Sequence, residues 1–251
     1  QNVTSGYHPL DHDSLREAVH VPPSMAGIKG WRIALSYDFG YVPIDPAVRA
    51  GTSHAADLLR AAGAIVEEVD LGWTNATDRL AMHWYNAMHF GRQTLWHRQK
   101  SAQLMTDYAL KLAAAIDNLT GIDDVHKAWE ISHKMWQTLG PLLERYNALI
   151  CPTLAVPAVK ADHDPWDQNF KIDGRVVDPE YGWVMTHQFN MLHNCPVISV
   201  PSGFSREGPP TGIQIVGKPQ DDLSVFQIAY AYERAFPGGG WFKDNFERPT
   251  T

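Results

Sequence analysis

The sequence predicts an α/β protein with a mixed sheet flanked by helices, and three observations carry that prediction. A strand-like run at 31–38 (WRIALSYD), a capped amphipathic stretch and a second strand-like run at 64–71 (AIVEEVDL) follow one another, which is the order of a βαβ unit with two parallel strands. Two short β-branched runs, 197–200 and 213–216, are bracketed by Pro or Gly, as expected of strands covered on both faces. Within 223–236, Val225, Ile228, Ala229, Tyr232 and Phe236 then recur in helical register before Pro237 and three glycines stop the pattern.

Length and charge bound the function. At 251 residues with a net charge of -7, the chain can bury a large core, and its acidic and basic residues are interspersed. No Lys/Arg cluster of the kind that attracts phosphate backbones is present, which argues against a nucleic-acid partner. No apolar run approaches the ~20 residues that span a bilayer, so no membrane role is expected and the chain is read as soluble and cytoplasmic. Cys151 and Cys195 each precede a proline at a strand edge and are read as reduced core thiols, because two cysteines staple little in a chain of this size.

In chain order, 1–30 is rich in Pro, Gly, His and Asp and reads as a covering segment, with one short amphipathic piece at 14–19. The main α/β domain is placed at 31–251. Asp45 before Pro46 is an N-cap followed by a first-turn proline; the helix it opens carries Val48, Leu58, Leu59 and Ala62 on one stripe and stops at Gly63. Residues 75–146 read as largely helical, and Val125, Trp129, Trp136, Leu139, Leu143 and Tyr146 give the last of these helices its apolar face. A strand at 148–151 follows at once. The segment 152–179 is loop-like, with a small hairpin turning at Asp173-Gly174.

Residues 181–217 carry the candidate site. Residues 180–192 hold no proline, and Trp183, Thr186, His187 and Asn190 recur at helical spacing, so a helix there would gather an indole, a hydroxyl, an imidazole and an amide on one face. Such a face suits a substrate pocket; it equally suits a helix merely packed on the sheet.

Other chemistries find little support. There is no Gly-X-Ser-X-Gly elbow, no phosphate-binding glycine loop before a helix, and no His-Glu-X-X-His or paired-Cys pattern among the 12 histidines and two cysteines. Asp162, His163, Asp164 and Asp167 sit beside a proline and read as a solvated polar loop, not a metal site. His83 with His89, and His126 with His133, read as surface or satisfied core residues. No metal and no cofactor is expected.

The motifs, taken together, resemble those of the amidase signature enzymes over almost the whole chain. IKGWRIALSYDFGYVPIDPAVRA with LLRAAGAIVEEVDL is similar to the family's Lys-Gly, strand, Asp-Pro-X-Val helix and Ala-Ala-Gly-Ala strand, and YNALICPTLAVPA resembles its strand ending in Pro-Thr. FNMLHNCPVISVPSGF with GPPTGIQIVG looks like its Asn-Leu-X-Gly-X-Pro and Pro-Gly-Ile-Gln-Ile strands, with Asn194 where the family has Gly. The resemblance implies hydrolysis of small-molecule amides by a Ser, cis-Ser, Lys triad. Those groups belong to the family's amino-terminal half, and the Ser-Ser pair and Gly/Ser-rich stretch that carry them do not occur here. No catalytic residue is therefore assigned. The chain is expected to be the carboxy-terminal half of such a fold, paired with the missing amino-terminal region or self-associating, and inactive alone; the alternative is a non-catalytic binding subunit with the same half-fold. Family members line an acyl pocket from the positions seven and three before the Asn, here Trp183 and His187. With Thr186 these are the expected substrate-binding residues, and a Trp at the first position suits apolar or aryl acyl groups.

Overall fold

The apolar runs of the sequence pair into one five-stranded sheet in a computed structural model, which describes residues 5–11, 14, 17–74, 100–110, 122–192 and 194–236. In chain order the elements are β1 (Arg32–Leu35), α1 (Pro46–Ala61), β2 (Ile65–Glu68), α2 (Ile122–Arg145), β3 (Ala148–Pro152), the hairpin strands β4 (Lys171–Ile172) and β5 (Arg175–Val176), α3 (His187–Met191), β6 (Val197–Phe204), β7 (Pro210–Val216) and α4 (Asp222–Ala235). The sheet order is β2-β1-β3-β7-β6. β1 runs parallel to β2 and β3, whereas β7 runs antiparallel to β3 and β6, so the sheet is mixed.

The period of two along β3 divides the core between the two faces of the sheet. Leu149 and Cys151 join Ala34, Val216, Leu139, Leu143, Phe39, Trp73 and Phe189 on the face covered by α2 and α3. Ala148 and Ile150 join Ile33, Leu35, Ile213, Ile215, Leu59, Ile228 and Tyr232 on the face covered by α1 and α4. Asp45 caps α1 by accepting from the Ala47 N–H, and Pro46 begins the helix where a missing N–H costs nothing. Asp221 caps α4 through the Ser224 N–H. At the turn between β4 and β5, Asp173 and Gly174 take φ of 47° and 75°, the pair of positive angles a two-residue hairpin of this kind needs.

Some expectations hold and others are corrected. Of the short piece expected at 14–19, residues 15–16 lie outside the described residues, and the described Ser14 and 17–19 are irregular. On α2 Leu139, Leu143 and Tyr146 are buried and Trp136 packs against the core as expected, joined by Ala128, Met135 and Leu142, whereas Trp129 is 56% exposed because Ala128 beside it takes the inward place. The side chain of Val125 lies outside the described residues. β6 is an edge strand whose burial alternates, with Val197 and Ser199 exposed, so it is not covered on both faces by the described residues. Both cysteines are buried and unpaired, and burial pushes the Cys195 thiol up to about 11 and the Cys151 thiol well above its ordinary value. His126 and His133 are exposed; His83 and His89 lie outside the described residues, as does most of 75–121. Among the described residues no helix is long and apolar enough to cross a membrane.

Leu149 sits fully buried at the centre of the sheet. Leu149→Ala is expected to lower stability by about 2–5 kcal/mol in urea denaturation, the range for emptying a close-packed core position; a loss within experimental error would show that this face is loosely packed.

Candidate functional site

The candidate segment is built by backbone pairing before any helix begins. Past the end of β3 the chain turns antiparallel to residues 183–185: the Ala155 N–H donates to the Trp183 carbonyl at 2.8 Å, the Met185 N–H to the Thr153 carbonyl at 3.2 Å, and Leu154 bridges Val184. Upstream, the Asp178 carboxylate accepts from the N–H groups of Glu180 and Tyr181, and the Asp178 carbonyl accepts from Gly182. These bonds occupy the groups that a helix over 180–192 would use. Helix α3 therefore starts only at His187, and the four-residue face drawn by periodicity is not formed. Gly182 fits because a Cβ there would lie 2.7 Å from the Asp178 carbonyl oxygen.

The three expected substrate-binding residues are neighbours along this segment. Trp183 is half-buried in the strand-like part, packed against the core cluster around Phe39, Trp73 and Phe189, and its indole N–H donates to the Pro179 carbonyl at 3.1 Å. Thr186 stands at the cap of α3 with no side-chain bond to the helix end. His187 opens the helix and is 8% exposed, whereas Asn190 is exposed.

What holds the segment to the sheet is Gln214 of β7, a residue that sequence reasoning passed over. It is 1% exposed and its amide nitrogen donates to the carbonyls of Pro152, at 3.0 Å, and Met185, at 2.6 Å. One side chain thus ties the end of β3 and the residue two before α3 to the middle of the sheet. The signal was a lone amide in the run Ile213 to Val216, since a polar residue inside a buried strand needs partners. A second tie, Gln188 to the Tyr41 hydroxyl at 2.9 Å, fastens α3 to the loop after β1.

The rim of this segment is acidic and aromatic. The Tyr108 hydroxyl donates to Glu180 at 2.8 Å. Burial raises the Glu180 carboxyl above its ordinary value, with Asp178 adding to the shift, while the Tyr108 and Tyr181 hydroxyls oppose it. Tyr108 is itself pushed up to about 12, first by burial and then by Glu180.

Hydroxyls nearby pair with each other. Thr153 and Ser199 lie 3.1 Å apart, and the buried Ser202 and Thr211 lie 2.9 Å apart. Thr153, Ser199, Thr211 and Gly212 share the lining of a 370 Å³ surface cavity at the end of β3. A serine becomes a nucleophile when a base takes its proton, and a second hydroxyl bonded to nothing basic does not do so. The two cysteines, held as thiols by burial, do not offer a thiolate either. In the Asp-rich loop, Asp164 accepts from the Trp166 N–H and Asp167 from the Asn169 N–H, whereas His163 turns inward to the Pro179 carbonyl at 2.7 Å.

Comparison with known proteins gives one consistent result. The family model described as Amidase matches residues 1–226. An acylamidase of Rhodococcus erythropolis is 28% identical over 225 residues, covering 88% of this chain and 46% of the relative. A glutamyl-tRNA(Gln) amidotransferase subunit of Thermodesulfovibrio yellowstonii is 25% identical, covering 96% and 52%. The crystal structure of a bacterial aryl acylamidase of the amidase signature family superposes with a TM-score of 0.79 at 26% identity, covering 93% of this chain and 49% of that one. The chain spans about half the length of the relatives it matches.

Gln214→Leu keeps the volume but leaves the Pro152 and Met185 carbonyls without donors. A loss of roughly 1–3 kcal/mol per stranded carbonyl is expected in urea denaturation, with faster hydrogen exchange at the Ala155 and Met185 amides than in the strands of the sheet. Unchanged exchange at those two amides would show that Gln214 does not hold the segment.

Proposed function

Since the chain belongs to the amidase family, we propose that it is the carboxy-terminal part of an amide hydrolase, supplying one wall of the substrate pocket while the bond-breaking Ser and Lys lie in the other half of the fold. The observation that carries this reading is the segment 183–187. Trp183 and His187 are the positions the resemblance assigns to the acyl pocket, Thr186 lies between them, and Gln214 binds the backbone beside them to the sheet. A wall fixed in this way holds its shape against a substrate, as a pocket that orients an acyl group requires. The half-buried Trp183 offers a flat apolar surface suited to apolar acyl groups, and the likeness to an aryl acylamidase favours aryl amides.

The missing half of the fold, or a second copy of the chain, would cover the free side of β6. Val197 is 41% and Phe204 49% exposed there, an apolar strand edge that natural sheets pair or cover. The Gly217 N–H bonds the Pro196 carbonyl, so in antiparallel alternation the backbone groups of Val197 and Ser199 point away from β7, toward the side where a further strand would add. Pro201 closes that edge: it has no N–H, and its carbonyl takes the Tyr232 hydroxyl at 2.8 Å.

A second reading, a non-catalytic binding subunit, is favoured by the hydroxyls that find only hydroxyls as partners and by the likeness to a component of an amidotransferase. The two readings part at the reading frame: upstream sequence with Lys and Ser-Ser motifs supports the hydrolase, and a start codon at this boundary supports the binding role.

The purified 251-residue chain is expected to release no amine from aryl amides in a colorimetric assay, and turnover above the buffer control would demand a nucleophile within it. In the full-length enzyme, Trp183→Ala is expected to change the ratio of kcat/KM between aryl and small acyl groups by roughly tenfold, equal to about 1.4 kcal/mol. An unchanged ratio would remove Trp183 from the pocket.

A further inference from the structure

The Pro179 carbonyl accepts two side-chain donors. One is the Trp183 indole N–H at 3.1 Å, and the other is His163 Nε2 at 2.7 Å. A carbonyl oxygen has two lone pairs and no proton, so the histidine must carry its hydrogen on Nε2 to make this contact. The ring is held in place for that purpose. It stands edge-on to Phe170, with centroids 4.6 Å apart, and Phe170 is itself fixed by its carbonyl accepting the Val177 N–H at the base of the β4–β5 hairpin. Asp164 and Asp167, which follow it in sequence, spend their carboxylates on the turns at Trp166 and Asn169, and the His163 backbone N–H closes a further turn onto the Lys160 carbonyl. The loop is thus folded so that its half-buried imidazole faces Pro179.

We propose that His163 is a positioning residue for the pocket wall: by donating to the carbonyl that also takes the Trp183 indole, it fixes the Trp183 ring and thereby the acyl groups the pocket admits. This rests on the reading of Trp183 as a wall residue. On the other side, Asp178 pins the chain just before Pro179 through the Glu180 and Tyr181 amides, so the Pro179 peptide is clamped between an aspartate turn and the His163 loop. Without His163 the carbonyl keeps the indole but loses its anchor to the loop, and the indole gains freedom to tilt. Gln can replace His as donor, because its amide N–H reaches a carbonyl from a side chain of similar length. Phe keeps the ring against Phe170 and offers no donor.

The test compares His163→Ala, His163→Phe and His163→Gln in the 251-residue chain by NMR, following solvent exchange of the Trp183 indole N–H assigned with Trp183→Phe. The Trp73 indole, bonded to the Thr138 hydroxyl at 2.8 Å, is the internal reference. Exchange at Trp183 is expected to quicken about tenfold in the Ala and Phe variants and to return toward wild type in the Gln variant, with Trp73 unchanged. Equal acceleration at Trp73 and Trp183, or none at either, overturns the proposal, since the first is general loosening and the second means no tie exists. The same variants in the full-length enzyme separate the two claims. If the indole responds and the aryl-to-small acyl kcat/KM ratio moves with it, both stand; if the indole responds and the ratio does not while Trp183→Ala still shifts it, the control of acyl choice by His163 is overturned, and if Trp183→Ala leaves it unchanged too, the reading of Trp183 as a wall residue falls.

Discussion

The arrangement around the candidate site depends on one buried amide. Gln214 lies in the middle of β7 among Ile213, Ile215 and Val216, where a buried amide nitrogen needs acceptors. Its nitrogen meets two carbonyls from different parts of the chain, so the sheet, the end of β3 and the start of α3 are held in one geometry. The tie is short in space and long in sequence: 62 residues separate Gln214 from Pro152, and 29 separate it from Met185. The backbone pairing of 153–155 with 183–185 continues from that point, and Trp183, Thr186 and His187 inherit their places from it. Around this polar centre the two apolar layers are conventional, with an aromatic trio of Phe39, Trp73 and Phe189, centroids 5.3 to 6.0 Å apart, closing the layer beneath the segment.

The sheet was readable in the sequence because its signals are local. Asp45-Pro46, Asp173-Gly174 and the β-branched runs each state their conformation within a few residues, and β1, α1, β2, β3 and the hairpin lie where those signals put them. The site was less readable, because its geometry is set by partners far along the chain. Trp183, Thr186, His187 and Asn190 fit a helical period, yet Ala155 and Thr153 claim the backbone of 183–185 and Asp178 claims the turn before it. No count of periodicity within 180–192 contains those partners. The β6 run shows the same limit: its β-branched residues mark a strand, but whether a further strand covers its outer side is decided elsewhere. His163 was hidden by composition, since three nearby aspartates make a loop look solvated whatever its histidine faces. Gln214 alone left a visible sign, an amide interrupting an apolar strand.

The described residues position groups more clearly than they activate them. Family membership and the half-length match to the acylamidases set the frame, and within it the described residues offer a fixed indole, a clamped turn and two hydroxyl pairs, Thr153 with Ser199 and Ser202 with Thr211. A bond-breaking serine needs a base, and in the hydroxyl pairs Thr153–Ser199 and Ser202–Thr211 each group meets another hydroxyl and not a base. The most direct measurement is the intact mass of the purified 251-residue chain after incubation with a fluorophosphonate, which labels base-activated serines covalently. The account predicts the unmodified mass after prolonged exposure, and one stoichiometric adduct on a serine of this chain would contradict it.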